Sequence, residues 1–186
     1  MWTAIIILGV LALIALLVIG IYNRLVGLRQ NVQQGVADID AQLRLRHDLV
    51  PNLVETVRGY ASHEKETLDS VIAARNKAAQ GEVKSSDEAQ FKVALDKLLA
   101  LGEAYPDLKA NVNFQELQRE LSDVEDKLAA SRRALNAAVS RFNTARESFP
   151  AILFAGALGF EQADFHRLDD SEEGVVDQVP DISFRK

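Results

Sequence analysis

Apolar or small residues recur at Leu25, Leu28, Val32, Val36, Ile39, Leu43, Val50, Val54, Val57, Ala61, Leu68 and Ile72, with only His47 and Glu64 interrupting. The mean step is about 3.6 residues, the repeat of a straight α-helix that buries one stripe. The pattern predicts one long helix over residues 24–79, stopped by Gln80 and Gly81. Pro51 lies inside it. Proline cannot donate to the carbonyl of His47, and its ring crowds that turn. Because the stripe resumes in phase at Val54, the sequence predicts a kink at Pro51 rather than a hairpin.

A charge-free run precedes this helix. Residues 4–22 read AIIILGVLALIALLVIGIY, roughly 28 Å as a helix at 1.5 Å per residue, close to the thickness of a bilayer core. Trp2 and Tyr22 bracket it as interfacial anchors, with Ile5, Leu8, Leu11, Leu16 and Ile19 between them to face lipid. A cleaved signal peptide would need a basic start, a shorter apolar region and a small-x-small cleavage site, so the run predicts a retained anchor over residues 1–23. No Lys or Arg comes before it, whereas Arg24, Arg29, Arg44 and Arg46 follow. The positive-inside rule then puts the N-terminus outside and the body in the cytoplasm, with an extracytoplasmic body as the alternative. The run lacks a small-xxx-small pair for tight helix dimerisation in lipid.

Further along, Ser85 and Glu88 have capping-box spacing and predict a helix to about Leu101, with Phe91, Leu95, Leu98 and Leu99 inward and Gly102 and Pro106 ending it. Asn113 and Glu116 form a second such pair. After them Phe114, Leu117, Leu121, Val124, Leu128, Ser131, Leu135, Ala138, Phe142, Ala145 and Phe149 alternate steps of three and four, a heptad seam that Pro150 stops. Residues 149–160 are again charge-free but too few to span a membrane, and predict a short fourth helix closing a bundle. The spared apolar side chains there, Phe149, Ile152, Leu153, Phe154, Leu158 and Phe160, are candidates for contact with a partner or a lipid surface. The expected fold is all-α: an antiparallel up-down-up bundle over residues 24–168, extending from the anchor and followed by an acidic tail over 169–186.

Composition narrows the function. The 186 residues include no Cys, which excludes disulfides, thiolate metal sites and thiol nucleophiles. Net charge is −6, and residues 161–186 hold eight acids against three bases, leaving the rest near −1. A nearly neutral body offers no basic footprint for nucleic acid.

Residues 39–64 read IDAQLRLRHDLVPNLVETVRGYASHE. This closely resembles the LemA family of membrane-anchored bacterial proteins. Arg44, Arg46, Asp48, Pro51, Asn52, Glu55, Gly59, Tyr60, His63 and Glu64 match the family pattern, with Leu45 replacing a basic residue. Residues 116–143 and the Ser148-Phe149-Pro150 and Gly159-Phe160 end also fit, although Leu135 and Phe142 stand where the family often has Tyr before Asn136 and Asn143. The resemblance implies an N-terminal membrane helix and an antiparallel helical bundle, and implies no enzyme activity.

Taken as chemistry, Asp40, Arg44 and Asp48 step by four along a helix, and Glu55 and Arg58 pair at i+3. With Arg46, Asn52, His63 and Glu64 they make a candidate interaction face, the plainer alternative being a solvated ion-pair surface. His63-Glu64 is half of an H-E-x-x-H zinc motif, but position 67 is Thr, and nothing in the spacing unites the three histidines. No phosphate-binding glycine loop and no nucleophile elbow occurs. The sequence therefore predicts no catalytic, cofactor or metal site and no small-molecule substrate. It predicts a bilayer-tethered scaffold that assembles with its own copies. An adaptor for another membrane protein, such as a protease or signalling component, is the main alternative. A hydrolase assembled from distant residues is the remote one.

Overall fold

The computed structural model describes residues 1–80 and 85–166, which contain helices and turns and no strand. The elements are α1 (Trp2–Arg58), α2 (Lys65–Ala78), α3 (Ser85–Ala104), α4 (Pro106–Lys109), α5 (Val112–Glu147) and a 3₁₀ turn at Ala151–Leu153. The chain is all-α and divides into two compact units. One comprises Met1–Asp40 with Leu128–His166; among the described residues, the other comprises residues 41–127.

In the first unit the N-terminal part of α1 lies antiparallel to the C-terminal part of α5. A Cβ on Gly35 would stand 3.1 Å from the Leu135 Cα, so glycine lets the two backbones close up here. Counting back from this pair at equal rise brings Leu25 level with Ala145, and both belong to one apolar cluster with Phe142, Ala155 and Phe160. After Gly159, whose φ of +75° suits glycine, the chain returns along α5. Asn143 donates from Nδ2 to the Ala163 carbonyl (2.8 Å) and accepts from the Ala163 amide (3.0 Å). Asn136 does the same with His166 at 3.0 and 2.9 Å. Seven residues of helix rise about 10.5 Å and three extended residues cover about 10 Å, so two carboxamides one heptad apart meet peptides three residues apart.

In the second unit α1 ends at Arg58, and residues 59–64 reverse the chain. The Tyr60 and Ala61 amides both donate to the Val57 carbonyl, and Glu64 N–H donates to Ala61 O. Tyr105 Oη donates to the Glu64 carboxylate at 3.0 Å, and Asn111 Nδ2 donates to Tyr60 Oη at 2.8 Å, tying the reversal down. The expected single helix to residue 79 is thus two antiparallel helices. Glycine at 59 weakens the helix, and α2 carries a stripe of its own at Leu68 and Val71 that only coincidentally keeps phase with α1.

Helix α1 runs through Pro51. The His47 carbonyl, which Pro51 cannot serve, instead accepts a hydrogen bond from Arg75 Nε of α2 at 3.1 Å. The proline thereby supplies a docking point for α2. The core of this unit gathers Leu53, Val57, Val71, Phe91, Leu98, Leu108 and Phe114, all buried.

Several expected boundaries shift. α3 continues past Gly102 to Ala104, and Gly102 makes room for Phe114: a Cβ there would lie 2.6 Å from the ring. α5 is capped by Asn111, whose Oδ1 accepts from the Phe114 amide at 3.0 Å, and not by Asn113. The heptad positions of α5 from Phe114 to Ala145 are buried or half-buried, but Phe149 lies beyond the helix and is 80% exposed. On α1, Val36 likewise faces outward. The expected fourth helix is a single 3₁₀ turn. The acidic tail over 169–186 lies outside the described residues.

Candidate functional site: a buried ion cluster, an open groove and an apolar end

The matching stretch of α1 contributes neighbouring side chains with different surroundings. Arg46, expected on an exposed face, is 2% exposed. Two helical turns place Leu43, Arg46, His47 and Val50 on the buried side, so the guanidinium is carried into the second unit's interior. There its Nη2 pairs with Glu88 of α3, and its Nη1 donates to Glu125 of α5 at 2.6 Å. His47 Nε2 lies 3.0 Å from the other Glu88 oxygen. Phe91, one turn along α3, meets the His47 ring edge-on at 5.0 Å and lies under the Arg46 guanidinium at 5.2 Å. Burial drives the Glu88 pKa up, but the adjacent His47 imidazole and the Arg46 charge outweigh it and bring the carboxyl below its ordinary value.

Glu88, expected to cap α3, is therefore the hub of an ion cluster that joins α1, α3 and α5. A buried cluster of this kind adds little net stability over well-packed apolar residues, although removing one partner alone is costly. Sequence reasoning missed His47 and Glu88. The signal was available in the break that His47 makes in the apolar stripe.

The remaining positions of the predicted face fall in separate places. Asp40 is half-buried in the first unit. Arg44 and Asn52 are exposed, and Asp48 stands 3.8 Å from Arg75 Nη2. Glu55 and Arg58 line a groove of about 400 Å³ between α1 and α2, together with Val50, Pro51, Val54, Ile72, Arg75 and Asn76. His63 is exposed in the reversal, and Glu64 accepts the Tyr105 hydrogen bond, which raises the Tyr105 pKa. No cluster of three or more potential metal ligands occurs among the described residues.

In the first unit the predicted apolar contact residues also divide. Phe160 is buried, edge-on to Tyr22 at a 5.5 Å centroid distance and beneath Arg29 at 5.1 Å. Phe154 and Leu158 are half-buried, whereas Phe149, Ile152 and Leu153 are exposed. The anchor residues Trp2, Ile5, Leu8, Leu11, Leu16 and Ile19 are exposed along α1, in a window of mean hydropathy 3.3 with none of it buried in the fold.

The model of the LemA family matches residues 35–184. The chain belongs to the LemA family. The protein named LemA from Metamycoplasma hominis is 28% identical over 130 residues, covering 68% of this chain and 59% of that protein. The magnetosome protein MamQ of Magnetospirillum gryphiswaldense is 22% identical over 173 residues, covering 77% of this chain and 64% of MamQ. The magnetosome protein MamQ 2 of Paramagnetospirillum magneticum is 23% identical, covering 86% and 69%. This LemA-family chain thus spans about three fifths of the length of the first two relatives. With its apolar helix, it is a membrane-associated member of the family.

Proposed function

We propose that this protein is a non-enzymatic, single-pass membrane-anchored scaffold whose copies assemble side by side on the bilayer. The carrying observation is that residues 4–22, apolar and unburied, pass into the body of α1 with no helix break. A tether that shares its helix with the folded part holds neighbours in one layer, where contacts too weak in solution suffice. The outward positions Val36, Arg44 and Leu45 support lateral contact, since they are exposed and Arg44 has no ion pair among the described residues. The charge pattern, with Arg24 and Arg29 after the span and no base before it, favours a cytoplasmic body. The chain has no cysteine, so single cysteines at Val36 or Arg44 can be crosslinked in native membranes with a bifunctional maleimide. Dimeric adducts at both, and none from Asp96→Cys on α3, are expected. A lack of adducts together with monomers by mass photometry would refute the assembly.

The groove beside Pro51 favours a second reading, an adaptor that seats a segment of another membrane protein. Ile72→Glu should then lose a co-purifying partner while keeping the helical content. Unchanged recovery of every partner would count against it.

A further inference from the structure

We propose that the turn over residues 149–159 is a second membrane contact, in which Phe149, Ile152 and Leu153 seat in the interfacial layer of the same bilayer that residues 4–22 cross. The inference rests on the anchoring reading above and adds a place where the folded part itself meets lipid.

Position comes first. The Gly35–Leu135 approach sets the register of the two antiparallel helices, and equal rise along both brings Glu147, the last residue of α5, level with Asn23. Asn23 is the last residue before the first charge, Arg24, and so marks the edge of the apolar run. The chain beyond Glu147 therefore emerges beside the end of the span. The contact between Phe160 and Tyr22 fixes the other end of the turn to the same level.

Chemistry agrees with that placement. Residues 149–160 carry no charge, while Arg146 and Glu147 precede them and Glu161 follows, so an apolar tip is rimmed by charged groups. Ala151, Ala155 and Phe160 face inward, whereas Phe149, Ile152 and Leu153 are 80%, 57% and 64% exposed. Three large neighbouring apolar side chains left open in this way mark a contact surface. Backbone polar groups facing lipid must find partners within the protein. Here Ile152 N–H donates to Ser148 O, Leu153 to Pro150, Phe154 and Ala155 to Ala151, Leu158 to Phe154, and Phe160 to Ala155. The turn thus presents Ile152 and Leu153 to the bilayer with their own amides internally bonded. An apolar surface of this kind sinks about 5–10 Å into the headgroup and acyl boundary.

The test uses the full chain in liposomes of mixed zwitterionic and anionic phospholipid, with Trp2→Phe as background so that one new tryptophan reports. Ile152→Trp, with Leu153→Trp as a second position, should shift to the blue and lose about half its emission or more to lipids brominated near the headgroup end of the acyl chains. Ala130→Trp, exposed on α5 about 25 Å along the helix from its end, should stay unquenched. Leu11→Trp, about 18 Å along α1 from Asn23 and so near the middle of the span, is read with lipids brominated near the ends of the acyl chains. Quenching at Leu11→Trp with none at either turn position overturns this inference and leaves the anchor intact. Lack of quenching at all three overturns the anchoring reading and this one with it. A blue shift without quenching, lost on dilution into excess lipid, assigns the turn to contact between copies and overturns it as well.

Discussion

Removing Arg46 should be far more damaging than its place in a matched but outwardly ordinary sequence motif would indicate. In Arg46→Met the new side chain keeps much of the volume and can still pack on Phe91, so the loss is chiefly electrostatic. Glu88, itself only 5% exposed, would retain His47 as its sole partner at 3.0 Å. Stranding one member of a buried pair costs about 3–5 kcal/mol. Glu88→Gln should cost less, about 1–2 kcal/mol, because Arg46 keeps Glu125 at 2.6 Å and that carboxylate is partly open to water. The double change Arg46→Met with Glu88→Leu should cost less than Arg46→Met alone, since it removes both charges together. Hydrogen exchange of the α3 amides in the full-length protein in nanodiscs measures the opening free energy of this unit. Arg46→Met should speed exchange roughly 10²- to 10⁴-fold at 1.4 kcal/mol per decade. A loss under about 1 kcal/mol, or a double variant equal to the sum of Arg46→Met and Glu88→Leu measured singly, would refute the account of the cluster.

Acid should act on the same hub. Because the folded state holds the Glu88 pKa below its unfolded value, this carboxylate stabilises the fold fully above the ordinary glutamate range and loses that contribution as pH falls from about 4.3 through the folded value. Glu88→Gln should flatten the acid limb of a pH–stability curve for the second unit, and an unchanged limb would exclude this role. Arg75→Ala should cost about 1–2 kcal/mol in the natural chain but clearly less in a Pro51→Ala background, where residue 51 can donate to the His47 carbonyl itself. A thermodynamic cycle with no coupling would refute that pairing. Gly102→Ala should destabilise by about 1–2 kcal/mol despite its better helix propensity, because the new methyl meets the Phe114 ring, and Phe114→Leu should relieve it in thermal melts. Asn143→Leu, which removes two hydrogen bonds at once, should lower protection at the Ala163 amide by about 1–3 kcal/mol, with wild-type exchange there as the contrary result.

The helical character, the apolar span and the buried seam of α5 were legible because each depends on local periodicity. The reversal at residues 59–64 was not. Its determinants are Tyr105 and Asn111, more than forty residues away, and they become visible only when α4 and the start of α5 lie against the turn. The same holds for Glu88, whose spacing from Ser85 suits a local cap equally well until Arg46 and His47 draw it inward. Arg46 misled for a related reason: an arginine among surface charges has no sequence mark that separates it from its neighbours Arg44 and Asp48. Two clues were present and unused. His47 broke an otherwise apolar stripe, and Asn136 and Asn143 stood one heptad apart, each one residue past a core position.

The matched pitch of those two asparagines and the returning chain limits how the first unit can vary in length. Adding or deleting a single residue in 161–165 would present the next peptide out of phase with its carboxamide, and one residue in α5 would rotate the asparagine by about 100° away from it. Growth in this unit therefore comes in whole quanta: seven residues in each long helix, balanced by three in the returning segment.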